Sequence, residues 1–156
     1  MKAYDIIVAR GHPNIKATHK TTIEITKENY LTPRGDCIIG VASNKSANDL
    51  RPELKNILKQ DNTIIVFILY VGELMDYILA TGSKNLLIND EKKLIIRKST
   101  YVEPATVAIR SNKAAKDIDR RIIEKLKDPH TILKIYIVGL TLDEINSVDI
   151  SVGSII

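Results

Sequence analysis

Asp5-Ile6-Ile7-Val8-Ala9-Arg10-Gly11-His12-Pro13-Asn14 returns 71 residues later as Asp76-Tyr77-Ile78-Leu79-Ala80-Thr81-Gly82-Ser83-Lys84-Asn85, with Asp, Ile, Ala, Gly and Asn kept in place. The same offset joins Ile25 to Ile96, Lys27 to Lys98, Tyr30 to Tyr101 and Pro33 to Pro104. The register then slips by three, and Ser43-Asn44-Lys45, Ala47, Asp49, Leu58-Lys59 and Thr63-Ile64 meet Ser111-Asn112-Lys113, Ala115, Asp117, Leu126-Lys127 and Thr131-Ile132. These 18 identities with one gap read as an internal repeat, with copies over 4–72 and 75–139. What both copies keep is architecture. What one copy alone carries is a candidate for function.

Each copy reads as strand, strand, strand, helix, strand. Ile6 to Ala9 is a short apolar run closed by Gly11-His12-Pro13-Asn14, a turn-forming cluster. Ala17 to Thr26 alternates, with Ala17, His19, Thr21, Ile23 and Ile25 on one face, and predicts a half-buried strand. Thr32-Pro33-Arg34-Gly35 signals a turn before the apolar run that opens at Cys37. Apolar residues at 47, 50, 54, 57 and 58 have helical spacing, and Pro52 has to sit in the first turn. Thr63 to Val71 closes the copy as a strand. The second copy predicts a helix over Lys113 to Lys127 and a strand over Thr131 to Val138, and a last strand is expected over 147–153. Ser-Asn-Lys before each helix is read as an N-cap. The expected fold is α+β: a duplicated β-β-β-α-β unit with two helices, a mostly antiparallel sheet or partly closed barrel, and approximate two-fold symmetry.

At 156 residues the chain predicts a single domain over 1–156. Copies of about 70 residues would each be marginal alone, so they are expected to share one core. With 44% hydrophobic and 27% charged residues, and no apolar run near membrane-span length, the composition predicts a soluble protein without a membrane partner. One cysteine and an N-terminus without a signal-peptide pattern predict a cytoplasmic location. The net charge of +4 permits an anionic partner. Zero Trp and one Phe argue against a stacking platform for single-stranded nucleic acid. Abundant Ile and Lys with a single Gln hint at a heat-adapted source, against which ten Asn residues weigh.

The copies differ unevenly in polar residues. Arg10, His12, His19 and Lys20 stand where the second copy has Thr81, Ser83, Asp90 and Glu91, and Arg34-Gly35-Asp36 occurs only in the first. Arg10, His12, His19, Lys20, Arg34 and Asp36 are therefore the candidate ligand-binding set, and donors of this kind suit a phosphate or carboxylate. His12, His19 and Asp36 also have the composition of a two-histidine, one-carboxylate metal site or of an acid–base enzyme, but their spacing matches no ligand motif. Cys37 beside Asp36 is a nucleophile only if a histidine serves it as base, and packing is the simpler reading. Gathering the turns at His12 and Asp36 requires the strands that follow them to start at the same end of the sheet, which a direct hairpin forbids.

The segments GHPNIKATHKTTIEIT (11–26), LTPRGDCIIGV (31–41) and RKSTYVEPATVAIRSNKAAKDIDR (97–120) resemble an archaeal family known as domain of unknown function 371. The resemblance spans nearly the whole chain. It implies a single-domain archaeal cytoplasmic protein and brings no activity, cofactor or catalytic residue with it. Where the family has an Arg-Thr pair, this chain has Ala105-Thr106, so no role for that arginine carries over. The preferred function is a binding module for an anionic partner, either a phosphorylated metabolite or a nucleic-acid backbone. The alternatives are the acid–base or metal enzyme and an assembly protein without a small-molecule site.

Overall fold

The computed structural model describes residues 1–147. Its elements run β1 (Lys2–Arg10), β2 (Thr22–Thr26), β3 (Ile38–Gly40), a 3₁₀ turn (Ala47–Asp49), α1 (Pro52–Leu58), β4 (Ile64–Val71), β5 (Leu74–Ala80), β6 (Lys93–Arg97), β7 (Thr106–Ala108), a second 3₁₀ turn (Ala115–Asp117), α2 (Arg120–Leu126), β8 (Ile132–Leu140) and α3 (Leu142–Ser147). None of the described helices is long and apolar enough to cross a membrane.

The eight strands form two sheets. The first, in the order β1-β8-β4-β5, is antiparallel throughout, and the second, β3-β2-β6-β7, has an antiparallel centre and parallel edge pairs. It is an α+β fold and not a closed barrel, although single antiparallel bridges, Arg10 to Val41 and Thr81 to Ile109, join the sheets along both edges. Ile7, Ile65, Phe67, Leu69, Ile135 and Ile137 point from the first sheet into a core shared with Ile23, Ile25, Leu94, Ile96 and Val107 of the second. Strands from the two halves of the sequence interleave: β8 lies between β1 and β4, and β2 pairs with β6.

Three expectations change. The strand predicted over 17–26 shortens to β2 because Ala17 takes a left-handed conformation (φ 51°) that ends extended backbone, and Ile88 does the same at φ 50°. The helix predicted over 113–127 splits into a 3₁₀ turn and α2, because Ile118 is extended between them, as Leu50 is before α1. A third short helix, α3, follows β8, and the strand expected over 147–153 lies outside the described residues after Ser147.

A carboxylate at the matching position of each half organises the break. Asp5, whose side chain is 2% exposed, receives the Lys45 Nζ at 2.8 Å and accepts the Arg51 N–H at 2.9 Å at the start of α1. Asp76 pairs with Lys113 and accepts the Asp119 N–H at 2.8 Å at the start of α2. Removing one partner of such a buried pair costs about 3–5 kcal/mol, since the other charge stays buried without compensation. Ser-Asn-Lys is thus a tether and not an N-cap. Ser43 Oγ and Ser111 Oγ donate to the carbonyls of Lys45 and Lys113, and Asn44 and Asn112 accept the N–H groups of Val8 and Leu79. Pro52 opens α1 at its first position, where its missing N–H costs nothing.

Candidate functional site

The first-half residues separate by role. His12 and His19 act as backbone acceptors: His12 Nδ1 takes the Asn14 N–H at 3.0 Å, and His19 Nδ1 takes those of Thr21 and Thr22, both at 3.1 Å. The residues in their places in the second half do the same work. Ser83 Oγ accepts the Asn85 N–H at 3.1 Å, and Asp90 Oδ1 accepts those of Lys92 and Lys93 at 2.8 Å. Each imidazole therefore presents Nδ1 to the backbone as an acceptor and directs Nε2 away from it. Among the described residues no three His, Cys, Asp or Glu side chains gather as metal ligands.

The turns at His19 and Asp36 do meet. β2 and β3 run parallel, so both strands start at one end of the sheet, and the Asp36 carbonyl accepts the N–H groups of Thr18 and His19 at 2.9 and 3.1 Å. His19 lies in the loop before β2 and not on its core face. That loop is pinned from the second half: the Arg120 guanidinium donates to the carbonyls of Lys16 and Ala17, and the Lys116 N–H donates to the His19 carbonyl. His12 is tied elsewhere, with its N–H on the Leu126 carbonyl at the end of α2. Arg10, Lys20 and Arg34 are exposed and make no side-chain ion pair among the described residues. Cys37 is half-buried, and burial pushes its thiol up to about 12, so it stays protonated and makes a poor nucleophile. Burial also raises the neighbouring Glu24.

A polar concavity of about 440 Å³ lies where the end of the first half meets the second. Thr81, Ser83, Lys84, Asn85, Thr100 and Arg110 of the second half line it together with Asp61 and Asn62 of the first. Gly82 sits at its base against the end of α1, where a Cβ would come within 2.4 Å of Thr63 Oγ1 and 2.5 Å of the Leu58 carbonyl. The carbonyl end of α1 adjoins it, where the Leu58 carbonyl accepts the Ser83 N–H and the Gln60 carbonyl accepts the Thr63 hydroxyl. Asp61 Oδ1 accepts the Lys84 N–H at 2.9 Å. Lys84 and Arg110 carry no ion pair among the described residues, and Arg110 adopts φ 52°.

Lys84 and Arg110 stand where the first half has Pro13 and Ala42. Both are cations carried by the second half alone, the same asymmetry that marks Arg10 and Lys20 in the first.

The profile of a domain of unknown function, DUF371, matches residues 7–140. This chain belongs to the DUF371 family. An uncharacterized protein of the archaeon Methanocaldococcus jannaschii is 50% identical over 123 residues, which cover 79% of this DUF371 chain and 90% of that protein. The matched span holds most of the first half of the DUF371 chain, the second half to residue 140 and every residue of the concavity.

Proposed function

We propose that this DUF371 chain is a binding module for a small anionic ligand, of the phosphorylated-metabolite class, held in the concavity beside Gly82. The observation that carries the proposal is a pair of cations without an ion pair among the described residues, Lys84 and Arg110, lining one space together with Thr81, Ser83, Asn85 and Thr100. Guanidinium, ammonium and hydroxyl donors around a glycine turn are the chemistry that recognises a phosphate group. A volume of about 440 Å³ suits a metabolite, and the lining has no aromatic side chain on which bases of a nucleic acid would stack.

The chain also reads as an internal duplication with approximate two-fold symmetry. Supporting this are the repeated element order, the matching bridges at Arg10 and Thr81, and left-handed residues at Ala17 and Ile88 and again at Ala42 and Arg110. Tyr30 and Tyr101 are equally exposed, at 61%, and Asp49 and Asp117 make the same bond. On this reading each half has one arginine beside its bridge: Arg110 opposite Ala42, and Arg10 opposite Thr81. Arg10, Lys20 and Arg34 then make a second cationic surface, with His12, His19 and Asp36 shaping its turns.

Calorimetric titration with pyrophosphate and nucleoside phosphates tests the proposal. Lys84→Ala with Arg110→Ala is expected to weaken binding at least ~10-fold, the loss of one or two charge-assisted hydrogen bonds. Lys20→Glu with Arg34→Ala is expected to leave this site unchanged. The reverse pattern moves the site to the first half, and no binding by the unaltered chain removes the anion reading.

A further inference from the structure

The outer face of the first sheet is apolar, and no described element covers it. Tyr4, Val138, Val66 and Leu79 stand in one registered row across the four strands, with Tyr4 51% and Leu79 42% exposed. In the next row are Ile6, Tyr136, Ile68 and Tyr77. Lys134, in a third row beside Tyr70, is the one charged side chain between the strand ends, and it has no ion pair among the described residues.

We propose that this face is the interface of a two-fold homodimer, occupied by the same face of a second copy. Four strands about 4.8 Å apart and about seven residues long give roughly 450 Å² of apolar sheet. A stable dimer buries about 800 Å² per partner, of which roughly 65% is apolar in homodimers, or about 500 Å². The face therefore comes close to the apolar area such an interface needs. Its rim is polar and ordered: the Arg51 guanidinium lies 4.8 Å from the Tyr4 ring centre, and the Lys113 ammonium lies 4.7 Å from that of Tyr77. Tyrosine and methionine in a centre with a single charge are the composition of an interface core, and four of the six tyrosines stand here.

Self-complementarity follows from the register. A two-fold axis parallel to the strands, running between β8 and β4, lays β8 of one copy over β4 of the other, in the aligned packing that twisted sheets prefer. Tyr136 then stands over Ile68 of the second copy, its partner in register. Lys134 faces the β4–β5 turn of the second copy, where Glu73 is an exposed carboxylate without an ion pair among the described residues. The one central charge is thus matched by an acid at the same end of the sheet.

Sedimentation of the full chain at about 10 µM, a concentration at which interfaces of this size are populated, is expected to give a species of about 35 kDa, twice the 17.5 kDa chain. Tyr136→Glu is expected to yield monomer with an unchanged circular-dichroism spectrum. Lys134→Glu, which changes no buried packing, is expected to raise the dimer dissociation constant at least ~10-fold, and Glu73→Lys in the same chain to restore it. A monomeric unaltered chain overturns the proposal, whether it stays free or binds anionic vesicles through this face. So does a dimer that survives Tyr136→Glu, or one indifferent to both charge reversals.

Discussion

At the scale of single residues, the contrast between His19 and Asp90 shows how a sequence difference misleads. Imidazole against carboxylate looks like a change of charge, and therefore of function. In the fold both are acceptors, each taking two backbone N–H groups two and three residues downstream. Spacing showed the alternating pattern but not which lone pair the backbone would use, because that depends on the left-handed residue two positions earlier, Ala17 or Ile88. His19→Asp is accordingly expected to keep thermal stability within about 0.5 kcal/mol, while His19→Ala loses about 1 kcal/mol or more, the cost of removing a cap acceptor. Denaturant melts of the two variants check this. Equal loss in both would mean that His19 contributes something the carboxylate cannot.

Elements were legible where apolar runs are continuous and obscure where polar groups decide. β1, β4 and β8 follow from apolar, β-branched runs, and Pro52 marks the start of α1. The continuous second helix was a misreading, because apolar spacing runs through Ile118 although Asp76 takes up the Asp119 N–H and Asp117 turns back on Ala114. The two 3₁₀ turns depend on carboxylates in this way. Asp49 is held below its usual range first by the Ser46 N–H, and Asp117 first by that of Ala114. A lowered carboxyl binds fewer protons folded than unfolded, so its contribution is complete above the ordinary value of 3.8 and is lost as pH falls through the folded value. Melting temperature is expected to drop below about pH 4. Asp49→Asn with Asp117→Asn is expected to lower the neutral-pH melting temperature and flatten that acid slope, and an unchanged slope would show that other carboxylates set acid stability.

For the whole molecule, the decisive feature is that the halves of the sequence are not halves of the fold. β1 has β8 as its one full-length neighbour, β4 lies between β5 and β8, and the second sheet is joined at its centre by β2 and β6. A chain of 1–72 would lack the strand that β1 pairs with, and would leave Ile23, Ile25 and Phe67 without the Leu94, Ile96, Ile135 and Ile137 that complete their core. A fragment that small buries too little apolar surface to offset its chain entropy. The link between the halves, by contrast, is a two-residue turn at Gly72 and Glu73, in which Gly72 takes φ 58° and a Cβ would touch nothing. Cutting there removes no packing and only raises the entropy cost of bringing the pieces together. Fragments 1–72 and 73–156 are therefore expected to be largely unfolded when made separately, and to form a one-to-one complex with the circular dichroism of the intact chain when co-expressed. Independent folding of 1–72 would require β1 and β4 to find each other without β8, a pairing the observed strand order does not contain.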